Sequence, residues 1–150
     1  MTITAYHAAY VLDASVAVKW FSANPEPERD HALTLRDRRI EGKFRLIAPE
    51  FFLLEVMNAL RKQRAFTESD VAEALTALEN LHMEVYRTTW DLLRKTNAIS
   101  WSYGASVYDA AYVALAEIIG FPLVTADEAL VKKMRGHSIV LRLKDLSLAR

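Results

Sequence analysis

The stretch Val107–Leu130, VYDAAYVALAEIIGFPLVTADEAL, decides the fold. It reads as a buried helix, an abrupt stop, a short buried strand and the opening of a new helix. Ser106 followed three residues later by Asp109 has the form of a capping box, which fixes where the first helix begins. Gly120 and Pro122 end it, because Gly suits the left-handed position after a helix and Pro cannot continue one. Phe121–Val124 is an apolar run bounded by turn signals, the form of a strand covered on both faces. Thr125-x-x-Glu128 has the form of a second capping box and predicts a helix toward Met134. Between Asp109 and Asp127 only Glu117 and the hydroxyls of Tyr112 and Thr125 interrupt the apolar pattern. An acid just past the carboxyl end of a parallel strand lies where open α/β sheets bind ligands. Asp109 and Asp127 are therefore candidates for one site. Each also has a plainer role, Asp109 in the capping box and Asp127 offsetting a helix dipole, worth about 0.3–1 kcal/mol.

Outward from that stretch, the same alternation repeats. Tyr10–Leu12 reads as a strand ending at Asp13, and Ala14–Phe21 as the helix that follows. Asp13 is thus another acid at a strand's carboxyl end, with an N-cap as its alternative role. Ser15 lies close enough in sequence to orient the Asp13 carboxylate. Ser22–Glu28, with two prolines, is a loop. Arg29–Ile40 reads as a helix whose basic end (Arg36, Arg38, Arg39) is either a solvated face or a phosphate-contacting patch. Phe44–Ala48 is a strand, and Pro49 is expected to open the helix that runs on as Glu50–Arg64. Phe51–Leu60 is apolar on nearly every face, so its start is expected to be buried. Glu55 and Asn58 are the polar exceptions there and share one side. A carboxylate in such surroundings needs a partner or an ion.

Thr67 is expected to cap a helix to about Leu81, with Val71, Leu75, Leu78 and Leu81 at helical spacing as core or partner surface. Met83–Arg87 and Ser138–Leu143 read as strands, and Trp90–Ser102 as a helix. Trp101 and Tyr103 read as packing aromatics. Strands alternating with helices along the whole chain predict an α/β fold, a single domain over residues 1–150 with a central, mostly parallel sheet and helices on both faces.

Composition narrows the function. The chain has 150 residues, 52% of them hydrophobic, enough for one full core. There is no cysteine, which excludes a disulfide framework, a thiolate metal site and a cysteine nucleophile. No signal peptide opens the chain and no apolar run reaches the ~20 residues of a membrane span, so a soluble cytoplasmic protein without membrane association is expected. Lys+Arg and Asp+Glu are both 19, a net charge of zero that is unusual for a nucleic-acid binder. The four histidines are scattered in polar contexts and read as surface residues. What remains is an all-carboxylate set, Asp13, Glu55, Asp109 and Asp127. Oxygen donors of this kind suit a hard cation, Mg²⁺ or Mn²⁺, of the sort that works on phosphates.

At this point the motifs VLDASVAVKWF, PEFFLLEVMNALRK, VYDAAYVALAE and PLVTADEAL, in this order over nearly the whole chain, resemble the four acidic motifs of PIN-domain ribonucleases, and VapC-type toxins in particular. The resemblance implies a PIN-like fold and a metal-dependent endoribonuclease acting on RNA. Asp13, Asp109 and Asp127 would hold Mg²⁺ or Mn²⁺ and Glu55 would complete the pocket, with Ser15, Asn58 and Thr125 in supporting positions. It also implies an antitoxin protein as partner and a homodimer. Met1–Ala9 is a longer lead to the first acid than the family usually has. A PIN nuclease of housekeeping RNA processing is the alternative within the family. A phospho-receiver domain is the alternative outside it, disfavoured because Asp13 has no adjacent acid and the third strand ends in Arg87-Thr88-Thr89.

Overall fold

The computed structural model describes residues 8–22 and 25–147, so most of the N-terminal extension and part of the first loop lie outside the described residues. Five strands, β1 (Ala9–Leu12), β2 (Arg45–Pro49), β3 (Glu84–Tyr86), β4 (Leu123–Thr125) and β5 (Val140–Arg142), form one sheet in the order β3-β2-β1-β4-β5. Every pairing is parallel. β1 is fully buried and central, as its unbroken apolar sequence requires. It lies between β2 and β4, with Leu12 opposite Val124 and Val11 opposite both Ile47 and Leu123. The chain leaves β1 toward β2 on one side and later returns to β4 on the other. The carboxyl ends of β1 and β4 therefore flank the point where strand order reverses, which is where open α/β sheets present a crevice.

Among the described residues, seven α-helices connect the strands: α1 (Ala14–Phe21), α2 (Arg29–Ile40), α3 (Phe52–Arg61), α4 (Glu68–Asn80), α5 (Trp90–Tyr103), α6 (Val107–Ile119) and α7 (Glu128–Lys133). Right-handed crossovers place α1–α4 over one face and α5–α7 over the other. The packing agrees: α1 lies against α2 and α3, α3 against α4, and α5 against α6, which itself covers β1 and β2. Trp20 ties α1 to α2 by donating its indole N–H to the Ala32 carbonyl at 2.7 Å. The α6 segment Ala110–Ala116 is entirely buried, and its run of alanines lets the helix approach the sheet closely. Thr67 caps α4 with a complete capping box, its partner being Asp70.

Three local expectations are corrected. Pro49 closes β2 instead of opening the next helix. Along β2 the N–H of Arg45 reaches the Ala8 carbonyl in the β1 direction, whereas that of Glu50 reaches Tyr86 on β3. Position 49 therefore faces the last residue of β1, so the missing N–H ends the β1–β2 ladder after the Val11–Ile47 pair. Thr125 is not a helix cap either. It ends β4, and Asp127 is the N-cap of α7. Finally, the apolar start of α3 is not buried all round, since Leu54 is 69% exposed.

The buried α6 face carries much of the core, so Leu115, with no exposed surface, is a direct probe of it. Leu115→Ala should cost about 2–5 kcal/mol through lost burial and the cavity left behind. Urea denaturation should show a lower midpoint with an unchanged m-value.

Candidate active site

The site begins at the carboxyl end of β1. Asp13 occupies the N-cap position of α1, yet its side chain makes no cap hydrogen bond. It is only 6% exposed. Its Oδ2 accepts two hydroxyls instead, from Ser15 at 2.6 Å and from Thr125 at 2.8 Å. The two hydroxyls are held in turn by β4's continuation: the N–H of Ala126 donates to Ser15 Oγ and that of Asp127 to Thr125 Oγ1, both at 3.0 Å. Thr125 is thus engaged in the strand-end network and cannot cap α7. The expectation that Ser15 orients the first acid corresponds to a real hydrogen bond. Asp13 Oδ1 accepts no hydrogen bond among those of the described residues.

The other acids come from three further elements. Ser106 caps α6 by accepting from the N–H of Asp109 at 3.1 Å, the forward half of the expected box. The Asp109 carboxylate, half-buried at the helix start, is electrostatically coupled to Asp127, whose charge pushes the Asp109 pKa up in addition to the larger effect of burial. The nearby Lys133 ammonium and Ser106 oppose that rise. Asp127 Oδ1 accepts from the N–H groups of Ala129 and Leu130 at 2.9 and 3.3 Å, so in place of the expected first-turn acid it is the N-cap of α7. Glu55, in the first turn of α3, is half-buried and accepts the Tyr112 hydroxyl on Oε1 at 2.6 Å. Burial, and then the charge of Asp109, raise its pKa, with the Tyr112 hydrogen bond opposing. Asp13 is pushed up to about 6, chiefly by burial, with the charges of Asp109 and Glu55 adding and the two hydroxyls opposing.

Asp13, Glu55, Asp109 and Asp127 are thus linked by one electrostatic neighbourhood at the switch point. Among the described residues, no group of three or more acidic or histidine side chains stands close enough together to hold a metal ion. The donor set nonetheless fits a hard divalent cation. It consists of carboxylate oxygens, its deepest member has one oxygen pinned and the other without a partner among the described residues, and the pKa rises of Asp13, Glu55 and Asp109, chiefly from burial with like charge adding, mark carboxylates whose charged form an adjacent cation would favour.

Asn58 is not part of this arrangement. It is exposed and lines a groove of about 810 Å³ between α3 and α4, with Met57, Phe66, Val71 and Leu75 as its apolar walls. The basic end of α2 is engaged locally, Arg36 with Asp37, Arg38 with Glu41 and Arg39 with the His82 carbonyl. His137 is no surface residue. Its Nε2 pairs with Glu117 at 2.5 Å, and Glu117 also meets Lys95. Trp101, expected to pack, stands 84% exposed.

Two residues near the acids escaped the sequence reading. Tyr112 carries a signal that was available: a Tyr three residues after Asp109 in an otherwise apolar buried helix faces the same side and needs a partner for its hydroxyl. Lys133 carries none, because its proximity to Asp109 depends on how α7 folds back beside α6.

A fully parallel α/β sheet with acids from four elements near its switch point defines a class of small α/β proteins. The PIN domain family model matches residues 10–135. The chain belongs to that family. It is 35% identical over 135 residues to Ribonuclease VapC12 of Mycobacterium tuberculosis, covering 89% of this chain and 97% of the relative. To Ribonuclease VapC3 of Pyrobaculum aerophilum it is 33% identical over 130 residues, covering 82% and 92%. A toxin–antitoxin complex from Klebsiella pneumoniae contains a chain of the same fold, with a TM-score of 0.66 at 18% identity, covering 89% of this chain and 97% of that one. The DNA-bound VapBC of Salmonella typhimurium has one with a TM-score of 0.63 at 16% identity, covering 91% and 99%.

The raised Asp13 pKa makes a signed prediction for the protein in EDTA. A carboxyl whose folded pKa is about 6 against 3.8 ordinarily contributes stability that is full below the unfolded value and lost as pH rises through the folded one. Relative to Asp13→Asn, the wild type should lose on the order of 2–3 kcal/mol between about pH 4 and pH 6.5, then run parallel to it. Paired denaturant melts across that range measure the difference; a constant offset would show that Asp13 is ionised throughout.

Proposed function

We propose that this chain is an endoribonuclease that hydrolyses RNA phosphodiesters at the acid cluster with Mg²⁺ or Mn²⁺, and that it is the toxin of a toxin–antitoxin pair in the cytoplasm. The observation that carries the reading is the buried Asp13 carboxylate, pinned on Oδ2 by Ser15 and Thr125 and sharing its surroundings with Asp109 and Glu55. Such a group is costly to keep charged and is retained where it binds a cation. Similarity to the two VapC ribonucleases supports RNA as substrate.

In this reading Asp13, Asp109 and Asp127 hold the cation and Glu55 completes the pocket. A divalent cation there supplies charge neutralisation at the phosphodiester and acidifies a bound water. Ser15 and Thr125 fix the Asp13 carboxylate so that Oδ1 is presented without rotamer loss at binding. Glu55 or Asp127 takes up the water proton as the water oxygen bonds to phosphorus and the bond to the 3′ oxygen breaks. Lys133, close to Asp109, offers a cation to the RNA phosphates.

The partner is an antitoxin protein, a reading supported by the toxin–antitoxin assemblies that share the fold. Its tail would take the apolar groove between α3 and α4. A homodimer would cover the α5 stripe of Trp90, Leu93 and Trp101, exposed by 75%, 42% and 84%.

RNA cleavage should require Mg²⁺ or Mn²⁺ and stop in EDTA. Asp109→Asn should lower kcat by about 100-fold or more. The same variant separates a site acid from a capping residue. In EDTA at neutral pH it should melt at or above wild type, because one of several repelling charges is gone, and it should lose most of the stabilisation that Mn²⁺ gives wild type. Cleavage undiminished in EDTA, or an Asp109→Asn protein that melts lower and responds to Mn²⁺ as wild type does, would refute the site.

Co-expression tests the toxin role. A small adjacent gene should yield a co-purifying complex and relieve growth arrest, whereas a folded protein harmless on its own would favour housekeeping RNA processing.

A further inference from the structure

We propose that Tyr112 is the positioning residue for Glu55: its buried hydroxyl holds one carboxylate oxygen so that the other faces the reaction. The inference rests on the acid cluster being a cation-dependent nuclease centre. Tyr112 lies one turn beyond Asp109 on α6, so the two side chains leave the helix on the same side. Its ring is 1% exposed and meets Phe51 edge to face, with centroids 5.2 Å apart at 76°. Phe51 in turn packs on Tyr108 at 5.4 Å. The hydroxyl at the end of this clamped ring donates to Glu55 Oε1 at 2.6 Å, across 57 residues of sequence and from one helical layer to the other. Burial, then the charges of Asp13 and Glu55, push the Tyr112 pKa far up, so the hydroxyl keeps its proton and remains a donor.

Glu55 needs such a constraint. Its side chain has three rotatable bonds, and the surface of α3 beside it is open, as exposed Leu54 shows. Unheld, the carboxylate would extend into water and surrender the entropy of being ordered only at the moment of binding. The Tyr112 bond leaves Oε2 without a partner among the described residues. The pattern matches Asp13, whose Oδ2 is held by hydroxyls while Oδ1 stays free. In both acids a neutral hydroxyl fixes geometry without neutralising charge, which is how an outer group orients a ligand.

Tyr112→Phe keeps the ring and removes the bond. Calorimetric titration with Mn²⁺ and cleavage kinetics on an RNA oligonucleotide, for wild type, Tyr112→Phe, Glu55→Gln and the double variant, test the role. Tyr112→Phe should bind Mn²⁺ about ten-fold more weakly and lose a similar factor in kcat, as outer-shell removals do, with KM little changed. In the Glu55→Gln background the further change in Mn²⁺ affinity should be no more than about two-fold, because the residue acts through Glu55. An equal loss in both backgrounds, or a Tyr112→Phe protein that binds Mn²⁺ and cleaves as wild type does, would overturn the positioning role alone. A wild type that neither binds Mn²⁺ nor cleaves RNA would overturn the nuclease reading, and this proposal with it. Should Tyr112→Phe fail to fold, Phe51→Leu loosens the ring and leaves the hydroxyl. The same pattern is then expected with a smaller loss, and an unchanged kcat and Mn²⁺ affinity would count against the clamp.

Discussion

The two hydroxyl bonds on Asp13 Oδ2 do more than orient one carboxylate. Ser15 belongs to the first turn of α1 and Thr125 to the last residue of β4, 110 residues later, and both bonds end on the same oxygen. The N–H groups of Ala126 and Asp127 return to those hydroxyls, while the N–H of Asp13 donates to the Val124 carbonyl at 3.0 Å. The result is a closed ring of hydrogen bonds joining the β1–α1 and β4–α7 turns. It fixes the register in which Leu12 faces Val124, and so the depth at which Asp127 stands relative to Asp13. In a buried setting such a network is worth more than its separate bonds, and losing any one member leaves the rest undersatisfied. Sheet alignment and site geometry are one construction at this point.

That construction explains how the fold tolerates like charges in close quarters. Asp127 divides its work: one oxygen caps α7, a role that stabilises the helix, while its charge acts on Asp109. Asp109 starts a helix whose middle is wholly buried, so the dipole at that end favours its charge. Glu55 has Tyr112. Asp13, held by two neutral hydroxyls, is the acid most shielded from water, and its pKa rises to about 6. The cost is concentrated in the residue with the best-fixed geometry, as expected where binding is bought at the expense of stability.

The order of strands and helices was legible because each parallel strand must be followed by a crossover, and Asp13, Asp109 and Asp127 could be found because they sit at crossover boundaries. Glu55 was legible as a carboxylate among apolar neighbours that needed a partner, though not which partner. What failed was local chemistry that tertiary structure redirects. Pro49 matched a helix start, but it closes β2, where its missing N–H ends the ladder to β1. Thr125-x-x-Glu128 matched a capping box, but the Thr125 hydroxyl was needed by Asp13. Contacts between remote segments left no trace in spacing: Lys133 beside Asp109, and His137 on Glu117. Asn58 shared a side with Glu55 in sequence and still faces the α3–α4 groove, since a single helical turn spans both the site edge and the surface beside it.

A remaining constraint follows from charge. The net charge is zero, and several arginines have acidic partners nearby: Arg36 with Asp37, Arg38 with Glu41, Arg45 with Glu84 and Arg142 with Glu128. These exposed pairs add little stability, but they flatten the field that a polyanion would meet at a distance. Long-range steering of any polyanion is therefore weak compared with that of a basic nucleic-acid binder. The acid cluster is itself repulsive to phosphate until a cation is in place. If the acids hold a cation as proposed, recognition would be short-range: a cation there would lower the local negative potential, and a phosphate could then approach the carboxylates with Lys133 nearby. Such a site would discriminate by what fits against a bound cation and the switch-point crevice, not by attraction to polyanions in general.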